Sequence, residues 1–409
     1  MIAGARWWRD PVRRGFLLLC LSIGALGFAL SAQQTIVANY FVEVLHLDGP
    51  QFGYITAVRE VPGFLLIFLV ALLYRLSLPH LSALALCLVT VGYALFPTAT
   101  SFWTVAPWVI ISSFGYHTLL QTQYALAMSL TTEHRSGTLM GQVGSMWSYG
   151  GVVALVLIGA GFWLKVLDFN ATFLIAAAVA FAGAVAMFYV PVLRDGKVEA
   201  RPAEREPIVF RREYGWFYLL RFLDGARMQV FFSFGVWVLV AHYQMDVWQI
   251  SVLSIASSAA TALATPWVGR MLDRYGERAV LGVTNVIYVV ILAAYGLIDN
   301  LPIAVACYIV YMAIMQLAEM GSALYIRKIA PHEDVAPSLA MGLSVAHAAA
   351  IVVPVLAGYL LNFVGYQVPF LIACGLASLT FLVTRQLNAE RQKSARRLAL
   401  EQAQAATAD

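Results

Sequence analysis

Charge is scarce in this chain. Of 409 residues, 12% are charged and 61% are hydrophobic. A water-soluble protein of this length has no way to bury so much apolar surface, so lipid must cover it. The net charge is a modest +4, and the basic residues read as membrane anchors rather than a nucleic-acid surface. Cysteine is scarce too. Cys20, Cys87, Cys307 and Cys374 all fall inside apolar runs, which reads as thiols buried in the membrane rather than disulfides or metal ligands. The chain lacks a Gly-x-x-x-x-Gly-Lys-Ser/Thr loop, so ATP is not expected to act directly. It lacks a His-x-x-x-His or Gly-x-Ser-x-Gly array in an apolar run, so a membrane-embedded enzyme is not expected. No cofactor or metal is expected.

What is present is a series of apolar runs. We read twelve helices, at residues 15–41, 51–74, 81–96, 102–130, 139–163, 171–190, 214–241, 250–268, 279–298, 302–325, 338–363 and 368–384. Each run is about as long as a bilayer-spanning helix. Arg13-Arg14-Gly-Phe-Leu ahead of the first run looks like a twin-arginine export signal, and Ala29-Leu-Ser31 like a cleavage site. The run continues to Phe41, too long for a signal core, so cleavage is not expected.

Lysine and arginine placement sets the orientation. With both tails inside, 22 of the 26 lie in inside segments and only Lys165 in an outside loop. The chain is therefore expected to be a multi-pass protein of the cytoplasmic (inner) membrane with both termini cytoplasmic.

The stretch from residue 269 to 278 reads Gly-Arg-Met-Leu-Asp-Arg-Tyr-Gly-Glu-Arg. Apolar runs flank it, so it reads as a short charged turn between two membrane helices. Its pattern, Gly-x-x-x-Asp-Arg-aromatic-Gly-x-Arg, resembles the signature loop of the major facilitator superfamily. In that family the loop joins the second and third helices of each six-helix half. The resemblance implies an all-α membrane fold of twelve helices in two pseudo-symmetric bundles, here residues 1–190 and 214–385, with a cytoplasmic linker at 191–213 and a tail at 386–409. It assigns a conformational latch to Gly269, Asp273, Arg274, Gly276 and Arg278, with Arg135 as a plausible neighbour from Glu133-His-Arg135-Ser-Gly137. The alternative is ordinary solvated loop charge. The first-half copy, near residues 71–80, keeps Arg75 but has Tyr74 in place of the acid and no glycine.

The chain itself carries a faint repeat. Asp48-Gly-Pro-Gln51 and Asp246-Val-Trp-Gln249 each precede a run, with Asp as helix N-cap. Met140-Gly141 and Met341-Gly342 open the fifth and eleventh runs at a similar offset. A duplicated unit accounts for both pairs.

Charge inside a membrane is expensive and marks function or a structural partner. The resemblance implies that helices 1, 4, 7 and 10 line a cavity, with 2, 5, 8 and 11 beside them. The intramembrane charges all fall on that set: Arg59 and Glu60, Arg221, Asp224 and Arg227, and Glu319; so do His117 and His347. Asp224 lies three residues from both Arg221 and Arg227, so the three share one broad helix face, and a bridge from Arg227 or Arg221 to Glu319 is expected. Arg59 and Glu60 are about 100° apart on their helix and need not pair. Gln33, Gln34, Asn39, Gln121 and Tyr124 add polar groups that recognise cargo or glue helices together. Two readings of the charges stay open. In one, Asp224 and Glu319 exchange protons and Arg227 contacts an anionic group of the cargo; in the other, the charges neutralise each other.

The resemblance implies a secondary transporter working by alternating access on a small organic solute, leaning to an anion or zwitterion, with protons as a possible partner and a monomer as the expected state. The alternatives are a proton-coupled exporter of varied amphiphiles, suggested by aromatics such as Tyr116, Tyr124, Tyr149 and Tyr311, and a ligand sensor that does not transport.

Overall fold

The computed structural model describes residues 10–72, 76–130, 136–194, 197–198 and 210–406; residues 66–72, 124, 136–138, 193–194, 197–198, 316 and 403–406 are described by backbone alone. In chain order the helices are α1 (Pro11–Asn39), α2 (Gly49–Leu72), α3 (Leu78–Leu95), α4 (Phe102–Ser129), α5 (Ser136–Trp163), α6 (Phe169–Phe188) and α7 (Gly215–Ala241). A 51-residue helical segment follows, Val247–Leu297. It is broken at Gly276, and we number its arms α8 (residues 247–275) and α9 (residues 277–297). Then come α10 (Leu301–Ile329), α11 (His332–Val364), α12 (Gln367–Gln386) and a tail helix α13 (Ala395–Ala406). Two two-residue strands, β1 (Leu193–Arg194) and β2 (Lys197–Val198), pair in the linker. Among the described residues nine helical segments are long and apolar enough to cross a membrane, the broken pair counted once. The protein is an all-helical membrane protein.

Short polar signals start these helices. Asp10 accepts from the Val12 and Arg13 amides ahead of Pro11. Asp168 caps α6 through the Ala171 amide, and Asn300 caps α10 through Ile303. Each satisfies a first-turn N–H that has no partner within the helix. Of the two Asp-x-x-Gln segments, the first does the same work through its Asp, and among the described residues the second forms only the return bond to its Gln. The Gln51 amide donates to Asp48 Oδ1 and the Asp48 amide to Gln51 Oε1, while the Asp246 amide donates to Gln249 Oε1.

Several expected boundaries are corrected. The stretch from 269 to 278 is not a ten-residue turn: the chain stays helical through Tyr275 and leaves helical geometry only at Gly276, with φ 75° and ψ 163°. That region of backbone space is open essentially to glycine alone. Met140 and Met341 do not open helices; α5 starts at Ser136 and α11 at His332. The first turn of α11 is polar, with Glu333 and Asp334, and so lies outside the apolar run that marked the helix in sequence. The first helix extends through a π-turn, Tyr40–Val44. The tail is helical where no helix was expected. Of the first-half loop, residues 73–75 lie outside the described residues, and α3 begins at Leu78 with Pro79 in its first turn.

The helices form two compact units. Unit 1 comprises Met1–Leu47, Val61–Arg205 and Met245–Ser254; unit 2 comprises Asp48–Glu60, Glu206–Gln244 and Ile255–Asp409. In unit 1, α1 and α5 approach so closely that a Cβ on Gly27 would strike the Trp147 carbonyl and one on Gly150 the Gly24 carbonyl. Small residues bring helix backbones together where lipid supplies no hydrophobic drive. Tyr40 closes one end of this unit, packing on Phe96 and Phe173 and donating to the Phe96 carbonyl at 2.9 Å. The Asn39 amide donates to Glu43 and to the Met245 carbonyl. In unit 2, residues 49–60 of α2 lie on α11. Phe52 packs on Phe234 and Trp237, and the Tyr54 and Tyr359 hydroxyls meet at 3.1 Å. At the tail-bearing end of this unit, Tyr214, Phe217, Leu220, Tyr325 and Ile326 form a closed core.

Candidate functional site

The intramembrane charges of unit 2 are brought together in two groups. The first is built on α7. Arg227 is 1% exposed and is the largest fully buried side chain among the described residues. Its Nη2 lies 2.8 Å from Asp224 Oδ1, and its Nη1 donates to Tyr311 Oη at 2.9 Å. Its guanidinium carbon sits 3.6 Å from the centre of the Tyr288 ring. The guanidinium is thus held by a carboxylate, a phenol and an aromatic face, which together replace the water it lost. Phe231 stacks on Tyr311 at 3.9 Å and closes the other side.

Arg221, two turns earlier, points to α10. Its Nη1 is 2.8 Å from Glu319 Oε1 and 3.5 Å from Ser322 Oγ. The two ends of this bridge differ: the Arg221 side chain is 7% exposed and that of Glu319 is 50% exposed. Of the two bridges to Glu319 anticipated from sequence, the one from Arg221 forms; Arg227 turns to Asp224.

A cavity of about 10 Å³ separates the two ion pairs, room for one water at most. Asp224 and Arg227 line it from α7, Met315 and Glu319 from α10 and Ala346 from α11. Gly225 makes the approach of α11 possible, since a Cβ there would meet Ala346 at 2.8 Å. Asp224 Oδ2 and Arg227 Nε are buried without a hydrogen-bond partner among the described residues.

The second group joins α2 to α11. Arg59 Nη2 is 3.0 Å from Glu60 Oε1, so these neighbours pair, which their spacing had left open. The long arginine stem lets the head bend back across the helix. Glu60 Oε2 is 3.0 Å from His347 Nδ1. Arg59 also lies 5.6 Å from the Phe232 ring on α7. The Glu60 carboxylate is thus shared between a guanidinium and an imidazole.

The other candidates are spread out. His117 belongs to unit 1, where Nδ1 lies 3.0 Å from the Ser113 carbonyl and hydroxyl. Gln33 is half-buried; Gln34 and Gln121 are exposed. The side chain of Tyr124 and the whole of Arg135 lie outside the described residues. In the signature stretch, Asp273 and Arg274 are exposed, Gly269 has open space around it and Arg278 donates to the Arg385 carbonyl. Arg274 lies over the ring of Tyr275.

Three participants escaped the sequence reading. Tyr288 lies on α9, a helix without intramembrane charge, and its one signal was a hydroxyl within an apolar run. Glu277 occupies a variable position of the motif, yet it is buried and takes Lys328 at 2.6 Å. Asp334 is buried in the first turn of α11, where it accepts from Tyr214 Oη and pairs with Arg211, both at 2.8 Å.

The comparisons with known proteins bear on the whole chain. The profile of the Major Facilitator Superfamily matches residues 17–222 and, a second time, residues 217–407. No curated protein sequence matches. Among solved structures, the nucleoside transporter NupG superposes with a TM-score of 0.72 at 14% identity, covering 93% of this chain and 100% of that one. A bacterial homologue of the human lysosomal transporter Spinster, inward-facing and unoccupied, superposes with a TM-score of 0.71 at 15% identity, covering 93% and 98%. At such identities the likeness is one of fold.

Proposed function

This chain belongs to the major facilitator superfamily and is a transporter, not an enzyme; we propose that it is a secondary active transporter that moves a small organic anion or zwitterion by alternating access, coupled to protons. The membrane is the cytoplasmic one, with both termini on the cytoplasmic side, as the lysine and arginine distribution favours. The halves on either side of the 191–213 linker are the moving bodies, and the working state is a monomer.

The observation that carries this reading is the asymmetric bridge between Arg221 and Glu319. Its cation is buried and its carboxylate half-exposed. Protonation of Glu319 removes the charge that holds Arg221. A carboxylate on the cargo then takes the guanidinium in its place, since Arg presents a fork that fits a carboxylate with two hydrogen bonds. Deprotonation of Glu319 reverses the exchange and expels the anion. Proton and anion therefore travel together. Arg227, enclosed by Asp224, Tyr288 and Tyr311, serves to fix α7 against α9 and α10 rather than to meet the cargo. Glu60 and His347 are a second place for the coupled proton.

Thermal-shift measurements on the purified protein at two pH values, against organic acids, amino acids, nucleosides and drugs, test the reading. A bound ligand raises the melting temperature by mass action. An anionic ligand is expected to stabilise more at the lower pH, and Arg221→Gln to abolish the effect. Stabilisation by nucleosides or organic cations alone, unchanged in Arg221→Gln, speaks against it.

A further inference from the structure

A second cavity of unit 2 lies away from the helix 7 charges, at the tail-bearing end. It measures about 660 Å³, within the range of small-molecule sites. The Gly276 break forms one wall, the end of α10 a second, and the segment after α12 with the first turns of α13 the third. Leu324 and Leu387 supply its apolar surface.

Its charges do not balance. Three carboxylates line it and all are engaged. Glu277 takes Lys328 at 2.6 Å; Glu401 takes Lys393 at 3.1 Å and Arg397 at 2.8 Å; Glu390 also lies 2.8 Å from Lys393. Those contacts pull the Glu401 carboxyl below its ordinary range and raise Lys393 above its own. Two lining arginines are left over. Arg278 spends one donor on the Arg385 carbonyl at 2.6 Å, and Arg327 has no carboxylate partner among the described residues. Each guanidinium has five donors, so most remain available. The N-terminus of α9 opens at Gly276 on the same wall, and the first amides of a helix favour an anion.

From this we propose that the cavity is a phosphate-binding site, in which Arg278 and Arg327 hold a phosphate group against the start of α9. The phosphate belongs to an anionic lipid headgroup or to a soluble phosphorylated compound. Both sources present the same oxygens to the two guanidiniums. The site touches both sides of the Gly276 break, so its occupancy fixes the angle between α8 and α9. Phosphate binding here is independent of the cargo and of the exchange between Arg221 and Glu319.

The full-length protein is tested in two arms. In detergent, inorganic pyrophosphate is added at ionic strength matched with sodium chloride. In nanodiscs, phosphatidylcholine alone is compared with phosphatidylcholine plus phosphatidylglycerol. A rise in melting temperature of about 3 °C or more is expected in at least one arm. A rise with pyrophosphate identifies a soluble source, and a rise with phosphatidylglycerol alone identifies a lipid. The rise is expected to vanish in the Arg278→Gln/Arg327→Gln variant and to persist in Arg270→Gln, whose exposed arginine lies outside the cavity. No rise in either arm for the wild-type protein overturns the proposal, as does an equal rise in the double variant. The wild-type measurement needs no variant. If the double variant folds poorly, Arg327→Gln alone is expected to halve the rise or more, and an undiminished rise overturns the proposal.

Discussion

Arg227 Nη2 lies 2.8 Å from Asp224 Oδ1, three residues back on α7, and both side chains are buried. The pair is neutral as a whole, and Tyr311 and Tyr288 complete the enclosure of the cation. Removing one partner leaves a bare charge in a dry interior, which costs about 3–5 kcal/mol. Asp224→Asn and Arg227→Met are each expected to lower the melting temperature steeply. The double variant Asp224→Leu/Arg227→Met is expected to lie closer to wild type than either single change predicts by addition. Thermal unfolding of the four proteins in one detergent checks this. Additive losses mean that the two groups act separately.

Gly276 takes φ 75° and ψ 163° between α8 and α9. A methyl placed on its Cα would meet nothing within 4 Å, so space does not limit a substitution. The backbone does. Gly276→Ala is expected to cost about 1–3 kcal/mol, while Gly269→Ala, helical and equally open, is expected to be neutral or slightly stabilising. Equal effects from the two variants show that the break at Gly276 is not what the local backbone requires.

Glu60 stands between Arg59 and His347, at 3.0 Å from each. Replacing it by glutamine keeps the shape and removes the charge that holds the imidazole. Glu60→Gln is expected to lower the melting temperature, and His347→Gln added to it is expected to cost less than His347→Gln does in the wild-type protein, as thermal unfolding of the four proteins would show. Losses that simply add mean that Glu60 and His347 do not act as a pair.

Asp299, in the loop between α9 and α10, accepts from His242 at 3.0 Å. The hydrogen bond from His242, with the Tyr243 hydroxyl nearby, holds its carboxyl below the ordinary carboxylate value. A lowered folded-state value contributes stability above the unfolded pKa, near 4, and that contribution is lost as pH falls through the folded value. Asp299→Asn is therefore expected to lower the melting temperature slightly at pH 6 and to match wild type at the acid end. A gap that persists or widens towards low pH contradicts the assignment.

Much of this was legible in the residues. Long apolar runs in lipid leave only helices as an outcome, so the twelve-helix pattern followed from composition and spacing. The Asp48 start was also legible, because an N-cap is a local interaction; at Asp246 the expected side-chain cap is replaced by the bond from its own amide to Gln249. What was not legible depended on distance in the sequence. The choice of Arg221 rather than Arg227 for Glu319 follows from how α7 is rotated against α10, and periodicity carries no such information. Tyr288 escaped because a hydroxyl inside an apolar run gives no charge signal. The break at Gly276 was read as a longer turn because charged residues look like loop. In the structure, Asp273 and Arg274 instead cover an exposed helical turn.

Whether Glu319 couples a proton to an anion is decided most directly by proton movement in proteoliposomes. A trapped pH-sensitive dye reads the lumen while impermeant anions such as succinate or glutamate are added outside. At least one anion is expected to acidify the lumen with the wild-type protein and not with empty liposomes, and Glu319→Gln is expected to abolish the signal. Acidification that is equal in Glu319→Gln, or absent for every anion while transport of a neutral or cationic solute is measured, contradicts the coupling.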